Sequence, residues 1–400
     1  MRVTAIETIH VAEYPNILWV EVHTDEGLTG LGETFRGPRA VAAHIHEAIA
    51  PYLLGKDPLA IDSHSHRFLN VYVGYGSSGA EIRAASAVDI ALWDLWGKAT
   101  GQPVWQLLGG LTRERVRVYN TCAGSTYNRA GDRRLIRAGV AYDAAGPHED
   151  QVAFVQHPAE LAQSLLDMGI TAMKIWPFDE FAEQTGGISI SAEDLKKGLG
   201  PFRKIRRAVG DRMDLMCELH ALWSLPAAVE IGRALAEYRP FWAEDPIRMT
   251  NLGVLAEYRE RVPVPVCASE TLATRQGCRE LLERKAVDYV MLDVSWVGGL
   301  SEAKKVATLA EAYHRPVAPH DCTGPVVLVA SLHLALNAPN AVFQEVVRAY
   351  YAGWYRDLVT ELPRIEGGYA YAMRGPGLGT ALAPGLQRRP DATVQRSTLP

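Results

Sequence analysis

The sequence predicts an α/β protein in which a (β/α)8-type barrel follows a smaller α+β region. Two features of the chain carry this prediction. Over about the first hundred residues, segments that alternate like antiparallel strands are followed by segments with helical spacing. From about Val116 onward, short apolar strands alternate with amphipathic helices, and eight such strands imply a parallel sheet closed on itself.

The composition is that of an ordinary globular protein, with 48% hydrophobic and 22% charged residues among 400. A net charge of −5 gives no basic field for nucleic acid and no polybasic membrane patch. The start of the chain lacks the apolar core of a signal peptide, and no run approaches the ~18 apolar residues of a membrane-spanning helix. Five cysteines without a CxxC pair argue against a disulfide framework, so we expect a reduced, cytoplasmic protein.

The first region covers residues 1–114. Its stretch NILWVEVHTDEGLTGLGET alternates like strands joined by glycine-containing turns. Two segments with helical spacing follow, and each ends at Gly or Pro. The second, from Ala84 to Lys98, is rich in small and apolar residues on several faces, which predicts a buried helix.

The barrel covers residues 115–347. The predicted strands are 116–123, 171–177, 213–219, 240–246, 263–269, 288–295, 315–320 and 341–347. The connections 124–157 and 178–191 are long, and long loops at the C-terminal face of a barrel commonly shape the site. We expect residues 348–400 to run back onto the first region, with a frayed end at 391–400.

From the second predicted strand onward, each strand ends in side chains that suit a functional site. These are Lys174 and Trp176, Glu218 and His220, Glu244, Glu270, Asp293, His320, and Glu345. Most of them are costly to bury without a partner. Because active sites of such barrels lie at the C-terminal ends of the strands, we expect these side chains to converge on one ring.

Glu218, Glu244 and Glu270 follow one another at intervals of 26 residues, about one βα unit, which predicts one level on three adjacent strands. Three converging carboxylates repel one another unless they are protonated or bridged by a cation. Carboxylate oxygens suit a hard ion, and three ligands leave room for water and substrate, as Mg²⁺ prefers. The alternative is that each glutamate pairs with a neighbouring Arg or Lys.

Asp293 and His320 form a second candidate group. A carboxylate beside an imidazole fixes its tautomer and stabilises the imidazolium, so the pair suits a general base. The alternative is a core histidine that is bonded to an acidic neighbour.

Three further residues complete the predicted ring. Lys174 is either a base with a lowered pKa or a cation that holds a substrate carboxylate, unless it is a lysine that merely extends to solvent. Trp176 lies on the same side and either walls the pocket or packs in the core. Glu345 serves as an acid, as a hydrogen-bond partner of the substrate or as one half of an ion pair.

These residues resemble the enolase superfamily, and within it the mandelate racemase group. The resemblance covers nearly the whole chain. It rests on GLTGLGET, AASAVDIALWDLWGKATGQPVWQLLGG, KIW, ELH, AEDP, ASE, LDVSWVGGLSEAKK and PHD, which occur in the order of the family. It implies a modified barrel with a capping domain formed by the N-terminal region and residues 348–400.

The resemblance also implies roles. Glu218, Glu244 and Glu270 correspond to the family's Mg²⁺ ligands, one ion per subunit. His320 and Asp293 correspond to its dyad, and Lys174 and Glu345 to its strand-two lysine and strand-eight glutamate. In the capping domain, Tyr14, Arg36, Tyr72 and Tyr75 are candidates for reading the distal hydroxyls of a substrate. A homo-oligomer is expected by resemblance alone.

Two departures from the family pattern bear on the reaction. Members that interconvert stereoisomers typically carry K-x-K on strand two, but the second position here is Trp176, which cannot move a proton. Where many members have Asp-x-Asn, this chain has ELH, and His220 resembles the histidine of several acid-sugar dehydratases.

We therefore expect an Mg²⁺-dependent acid-sugar dehydratase. In this reading His320 removes the proton α to a carboxylate, and an enediolate forms beside Lys174. His220, or protonated His320, then delivers a proton to the leaving β-hydroxyl, and the product is a 2-keto-3-deoxy acid. A racemase, epimerase or cycloisomerase stays open as an alternative, as does a non-catalytic Mg²⁺-dependent sugar-acid binder.

Overall fold

A computed structural model describes residues 1–70, 78–128 and 148–399. The N-terminal region contains β1 (Val3–Val11), β2 (Ile17–Thr24), β3 (Thr29–Phe35), α1 (Pro38–His44), a π-helical turn (Ile45–Ile49), α2 (Ala50–Leu53), α3 (Ile61–Leu69), α4 (Ala80–Thr100) and α5 (Val104–Leu107). Its strands form an antiparallel sheet, one face of which packs on the helices.

The close packing of α4 on β3 explains the glycines of GLTGLGET. A Cβ atom on Gly32 would lie 1.9 Å from the carbonyl oxygen of Ala87, and one on Gly30 would lie 2.1 Å from that of Ala91. Only glycine permits this approach, so β3 and the buried α4 form one tightly packed layer.

Eight parallel strands and their helices follow. In chain order they are β4 (Arg115–Thr121), α6 (Asp150–Gln156), α7 (Pro158–Asp167), β5 (Ala172–Ile175), α8 (Asp179–Thr185), α9 (Ala192–Gly198), α10 (Gly200–Val209), β6 (Asp214–Glu218), α11 (Leu225–Leu235), β7 (Trp242–Glu244), α12 (Leu252–Arg261), β8 (Val266–Ala268), α13 (Thr274–Glu283), β9 (Tyr289–Leu292), α14 (Gly299–Ala312), β10 (Val317–Pro319), α15 (Pro325–Asn337) and β11 (Gln344–Val346). All eight predicted strands are confirmed.

The eight strands close into a barrel. They pair in chain order from β4 to β10, and β11 pairs in parallel with β4. Between β10 and β11, the amide of Val317 donates to Asn340 and its carbonyl accepts from Val342, both at 2.9 Å. Within the described residues, no helix combines the length and the apolar character needed to cross a bilayer.

The C-terminal segment contains α16 (Arg348–Tyr351), β12 (Ile365–Glu366), β13 (Tyr369–Tyr371) and β14 (Ala392–Thr398). β14 pairs antiparallel with β1 over seven residue pairs and becomes the edge strand of the N-terminal sheet. The expected return to the N-terminal region is therefore present. The expected frayed end is wrong, because the backbone of residues 392–398 hydrogen-bonds to β1.

The N-terminal region, called the cap below, meets the barrel through buried polar groups. Glu33 accepts the amide of Val327 at the start of α15, at 2.9 Å, and Asp89 accepts the amide of Ser301 at the start of α14, at 3.0 Å. Burial raises the pKa of Glu33 to about 8 and that of Asp89 to about 7. Each carboxyl group accepts an amide in the first turn of a barrel helix that follows a strand of the site, so these two hydrogen bonds join the cap to the barrel. The exact division into 1–114, 115–347 and 348–400 stays a prediction.

Candidate active site

The register of the barrel strands explains why the predicted residues converge. An apolar layer inside the barrel contains one residue from each of the first seven strands and the residue just before β11. These are Tyr119, Ala172, Met216, Trp242, Cys267, Met291, Ala318 and Phe343. Alternate residues of a strand point the same way, so positions two residues further on form the next layer. These are Thr121, Lys174, Glu218, Glu244, Ser269, Asp293, His320 and Glu345.

Glu270 reaches the site differently from the other two predicted metal ligands. Glu218 and Glu244 lie side by side, paired in register on β6 and β7. On β8, however, the residue paired with Glu244 is Cys267. Because β8 ends at Ala268, Glu270 lines the cavity from the turn beyond the strand. The expectation of one common level is correct for Glu218 and Glu244 and wrong for Glu270.

Lys174 lies buried among three carboxylates. Its Nζ contacts Glu244, lies 3.1 Å from Oε1 of Glu345 and lies 3.5 Å from Oε2 of Glu218. Burial alone would lower the pKa of Lys174, but Glu244 and Glu345 raise it well above its usual value. The ammonium group is therefore charged at neutral pH, which favours the cation over the base with a lowered pKa.

The carboxyl groups of Glu218 and Glu244 are close enough to share a proton. Burial and the charge of Glu218 raise the pKa of Glu244 well above its usual value. Burial opposes ionisation of Glu218 too, but His220 and Lys174 outweigh it and lower the pKa of Glu218. At neutral pH the pair therefore holds one proton, on Glu244, beside an ionised Glu218, and a further cation is needed before both carboxyl groups ionise.

His320 and Asp293 form a hydrogen-bonded pair on the side of the ring opposite Glu218 and Glu244. Nδ1 of His320 lies 2.7 Å from Oδ2 of Asp293, and its Nε2 lies 3.9 Å from Oε2 of Glu345. Burial works against the imidazolium, but Glu345 and Asp293 raise the pKa of His320 to about 9. Asp293 thus fixes the ring so that Nε2 faces the cavity.

A second histidine–aspartate pair lies across the barrel. Nδ1 of His220 is 2.8 Å from Oδ2 of Asp179, at the start of α8, and the amide of His220 donates to Glu218 at 2.6 Å. His220 has φ of 50°, in the left-handed region, so the chain turns sharply after β6 and directs the ring to the cavity. β6 and β10 are the third and seventh barrel strands, so the two imidazoles stand on opposite walls.

The predicted substrate-binding residues fall in different places. Trp176 and Arg36 line the cavity, and the ring of Trp176 meets that of His220 edge-on at 5.7 Å. Tyr14 is buried in the core, stacked on Trp354 at 5.2 Å, and it is absent from the cavity wall. Tyr72 and Tyr75 lie outside the described residues.

The cavity at the centre of the ring has a volume of about 60 Å³. A larger groove of about 1060 Å³ lies beside it, between α3 and the loops after β7 and β8, and adjoins the ring at Ala221 and Thr271. We place the chemistry in the small cavity because the titratable side chains with shifted pKa values converge there.

Comparisons with known proteins agree with this geometry. Residues 2–109 match the model of the mandelate racemase / muconate lactonizing enzyme N-terminal domain, and residues 157–385 match the enolase C-terminal domain-like model. The chain belongs to the mandelate racemase/muconate lactonizing enzyme family of the enolase superfamily. The resemblance inferred from the sequence is confirmed, and the chain is an enzyme of this family.

Individual members of the family are similar over nearly the full length. A D-xylonate dehydratase of Haloferax volcanii is 31% identical, covering 95% of this chain and 87% of its own. A D-galactonate dehydratase family member of Streptomyces bingchenggensis is 30% identical, covering 97% and 92%. An enolase of the mandelate racemase subgroup from Agrobacterium tumefaciens has a solved structure that is 51% identical, covers 100% and 99%, and superposes with a TM-score of 0.88.

The donor set of this family member fits a hard divalent cation. Oε2 of Glu270 is buried and finds no hydrogen-bond partner among the described residues, and burial together with repulsion by Glu218 keeps the pKa of Glu244 high. A cation would satisfy both, since all three predicted ligands offer oxygen. The tightest set of metal-type ligands in the described chain is elsewhere: Glu7, Glu21 and His23 in the cap lie within 4.8 Å. There, Arg396 donates to Glu7 and Gln387 to Glu21, so protein donors already satisfy the carboxylates.

Several residues of the ring were not expected from the sequence. Thr121 donates to Glu345, and Ser269 donates to the buried Asp245 at 2.6 Å. Asp179 pairs with His220, yet nothing in the sequence separates it from Glu180 beside it. Of these residues, Thr121 could have been predicted from the sequence, because it lies at the end of the first barrel strand, two residues after Tyr119.

Proposed function

We propose that the protein is an Mg²⁺-dependent acid-sugar dehydratase that converts a sugar-acid carboxylate to a 2-keto-3-deoxy acid. The observation that carries the proposal is the pair of histidine–aspartate dyads on opposite walls of one cavity, with Lys174 and the carboxylates between them. The names of the dehydratases that resemble this chain support the same reaction class.

Glu218, Glu244 and Glu270 would hold the ion. When bound, Mg²⁺ supplies Lewis-acid stabilisation for a substrate carboxylate whose α-carbon loses a proton. Lys174 adds a fixed positive charge at the same place, held by Glu244, Glu345 and Glu218.

The proton transfers fall to the two histidines. Nε2 of His320 takes the α-proton, because its Nδ1 is engaged with Asp293. Glu345 and Glu270 help to raise the pKa of His320, so neutralising their charge brings it back toward neutral pH. His220, held by Asp179, gives a proton to the β-hydroxyl, which leaves as water, and the enol then tautomerises to the keto acid.

Opposite walls have a stereochemical consequence. If His320 removes the proton from one face and His220 assists the hydroxyl at the other, elimination is anti. Trp176 closes the position from which a second lysine would act.

An epimerase is the second candidate, since two imidazoles on opposite walls also suit proton removal from one face and return to the other. A panel of five- and six-carbon sugar acids in Mg²⁺ separates the two. We expect 2-keto-3-deoxy acid from at least one member and none from the His320→Asn variant. Solvent deuterium at the α-carbon without keto acid would replace dehydration by epimerisation. Binding without either would leave only a sugar-acid binder.

The finer attributes of the protein stay predictions. They are the homo-oligomeric state and the cytoplasmic setting.

A further inference from the structure

We propose that the cap does more than cover the cavity: strand β3 positions the proton-abstracting pair, Asp293 and His320, through Thr34, Ser295 and Trp296. The inference rests on the proposed function for its kinetic consequences, but its structural part does not. Two independent routes run from β3 to the imidazole of His320.

The first route is a chain of hydrogen bonds. Oδ1 of Asp293 accepts from both the amide and the hydroxyl of Ser295, each at 2.7 Å. This leaves Oδ2 for Nδ1 of His320. The carbonyl of Ser295 in turn accepts from the hydroxyl of Thr34 at 3.0 Å. Because Thr34, Ser295 and Asp293 are buried, each bond forms away from water and holds the next group in place.

The second route passes through aromatic rings. The ring of Trp296 lies 5.7 Å from that of His320 and also stacks on Phe35 at 6.4 Å. The Nε1 of Trp296 donates to the carbonyl of Phe35 at 3.2 Å. The guanidinium of Arg83, on α4, lies 5.0 Å from the indole ring. The cap therefore holds the indole by three contacts, and the indole limits the rotation of His320.

The barrel alone fixes the backbone position of His320 but not the orientation of its side chain. Its backbone places His320, whose amide donates to Leu292 at 2.8 Å. The side-chain torsions of His320 are set by Asp293 and Trp296, and both of these depend on β3. Since Arg36, the residue after Phe35, lines the cavity, docking of the cap would enclose the substrate and align the base in one event.

Thr34→Val tests the hydrogen-bond route, with Thr8→Val as its matched control. Thr8 is a buried threonine on the same sheet whose hydroxyl pairs with Nε2 of His46, also in the cap, at 2.8 Å. Each change removes one buried hydrogen bond with little change in shape, so both should lower thermal stability alike. Only Thr34→Val should lower kcat, by about tenfold, with KM within about twofold.

Trp296→Phe and Trp296→Leu test the ring route. Phenylalanine keeps a flat ring against His320, and we expect it to retain most of kcat. Leucine removes the ring and should lower kcat by about ten- to a hundredfold. A rise in KM with kcat unchanged would make Trp296 a wall of the cavity and would overturn its positioning role.

The resonance of the His320 Nδ1 proton gives a readout that needs no substrate. In protein labelled with ¹⁵N-histidine, the His320→Asn variant identifies this strongly downfield signal. We expect it to persist in Thr8→Val and to shift or broaden in Thr34→Val and Trp296→Leu. An unchanged signal in both of these variants would overturn the proposal, even if the wild-type protein dehydrates sugar acids. A shifted signal would support it even if no sugar acid reacts.

Discussion

Lys174 allows three glutamates to occupy one buried space. Its ammonium group lies within 3.5 Å of carboxylate oxygens from β6, β7 and β11. Removing one partner of a buried charge cluster leaves the others uncompensated, which costs about 3–5 kcal/mol. Lys174 therefore contributes to the stability of the fold as well as to the proposed reaction.

Lys174→Met should lower the free energy of unfolding by about 3–5 kcal/mol in EDTA, measured by denaturant titration. Mg²⁺ should restore more stability to this variant than to the wild type, because the ion supplies the missing charge. Arg348→Met is the control, since it breaks the buried pair with Asp150, where the two groups lie 2.7 Å apart, away from the site. An equal Mg²⁺ response in both variants would contradict this account.

Asp179→Asn should separate the two proton transfers. The carboxylate of Asp179 orients His220, and the amide would misplace the ring without moving His320. We expect formation of keto acid to fall by about ten- to a hundredfold, while solvent deuterium still enters the α-carbon. Glu180→Gln, at the neighbouring position on α8, is the control. Parallel loss of both activities would show that Asp179 supports the whole site.

Some residues of the site were predictable from the sequence and others were not. Glu218, Glu244, His320 and Lys174 were predictable because each stands at the end of an apolar, strand-like run. Tyr14 was placed by analogy, and the structure buries it because it stacks on a tryptophan from the C-terminal segment. Contacts of that kind join distant parts of the chain and leave no local pattern.

Helix α15 contains His333, a histidine whose environment sets a pH limit on the fold. His333 is buried, its Nδ1 accepts the amide of Trp105 at 3.2 Å, and its Nε2 lies 3.1 Å from the carbonyl of Leu378. Burial lowers the pKa of His333 to about 4, although the carbonyl of Leu378 opposes the shift. A proton on Nδ1 would also point at the amide N–H of Trp105.

Stability should therefore fall as the pH drops from about 6.5 to about 4. Over this range the unfolded chain binds a proton at His333 that the folded chain excludes, so the slope approaches ~1.4 kcal/mol per pH unit. His333→Gln should flatten the pH profile of the unfolding free energy, although it also lowers stability overall. The exposed His157→Gln is the control, and a profile as steep in His333→Gln as in the wild type would refute the assignment.

β14 should stabilise the cap measurably. Removal of residues 392–400 takes away seven residue pairs and the hydroxyl of Ser397, which lies 2.8 Å from Nδ1 of His46. We expect a lower Tm and concentration-dependent association, because the edge of β1 becomes unpaired. Val394→Thr, at an exposed position of β14, is the control and should change neither property. A truncated chain with the Tm of the full chain would show that β14 contributes nothing.

The positions of the strands along the chain were more predictable than the strands with which they pair. The eight barrel strands follow from apolar runs separated by helical spacing, which is local information. The pairing of β14 was missed because its sequence, ATVQRST, has no apolar alternation, and β1 supplies the partner from the other end of the chain. The register of β8, which displaces Glu270, also depends on pairing and not on spacing.

For the molecule as a whole, metal removal should abolish activity and leave the fold intact. In EDTA, Lys174 still neutralises part of the ring, so the far-ultraviolet circular dichroism should not change. Mg²⁺ at about 100 times its Kd should add about 2.7 kcal/mol to the free energy of unfolding and restore turnover. Glu218→Gln should weaken this response, and full activity in EDTA would rule out the metal-dependent mechanism.

The pairing of β1 with β14 also bears on how the chain acquires its structure during synthesis. Ala5 is paired with Thr398, so β1 is synthesised long before the strand that covers its outer edge, with the whole barrel in between. The intervening barrel has mostly neighbouring-strand contacts, which form sooner than pairings of such long sequence separation. The cap sheet should therefore be completed last, after translation of β14, and nascent chains that stall before this strand would carry an open β-sheet edge that chaperones can recognise.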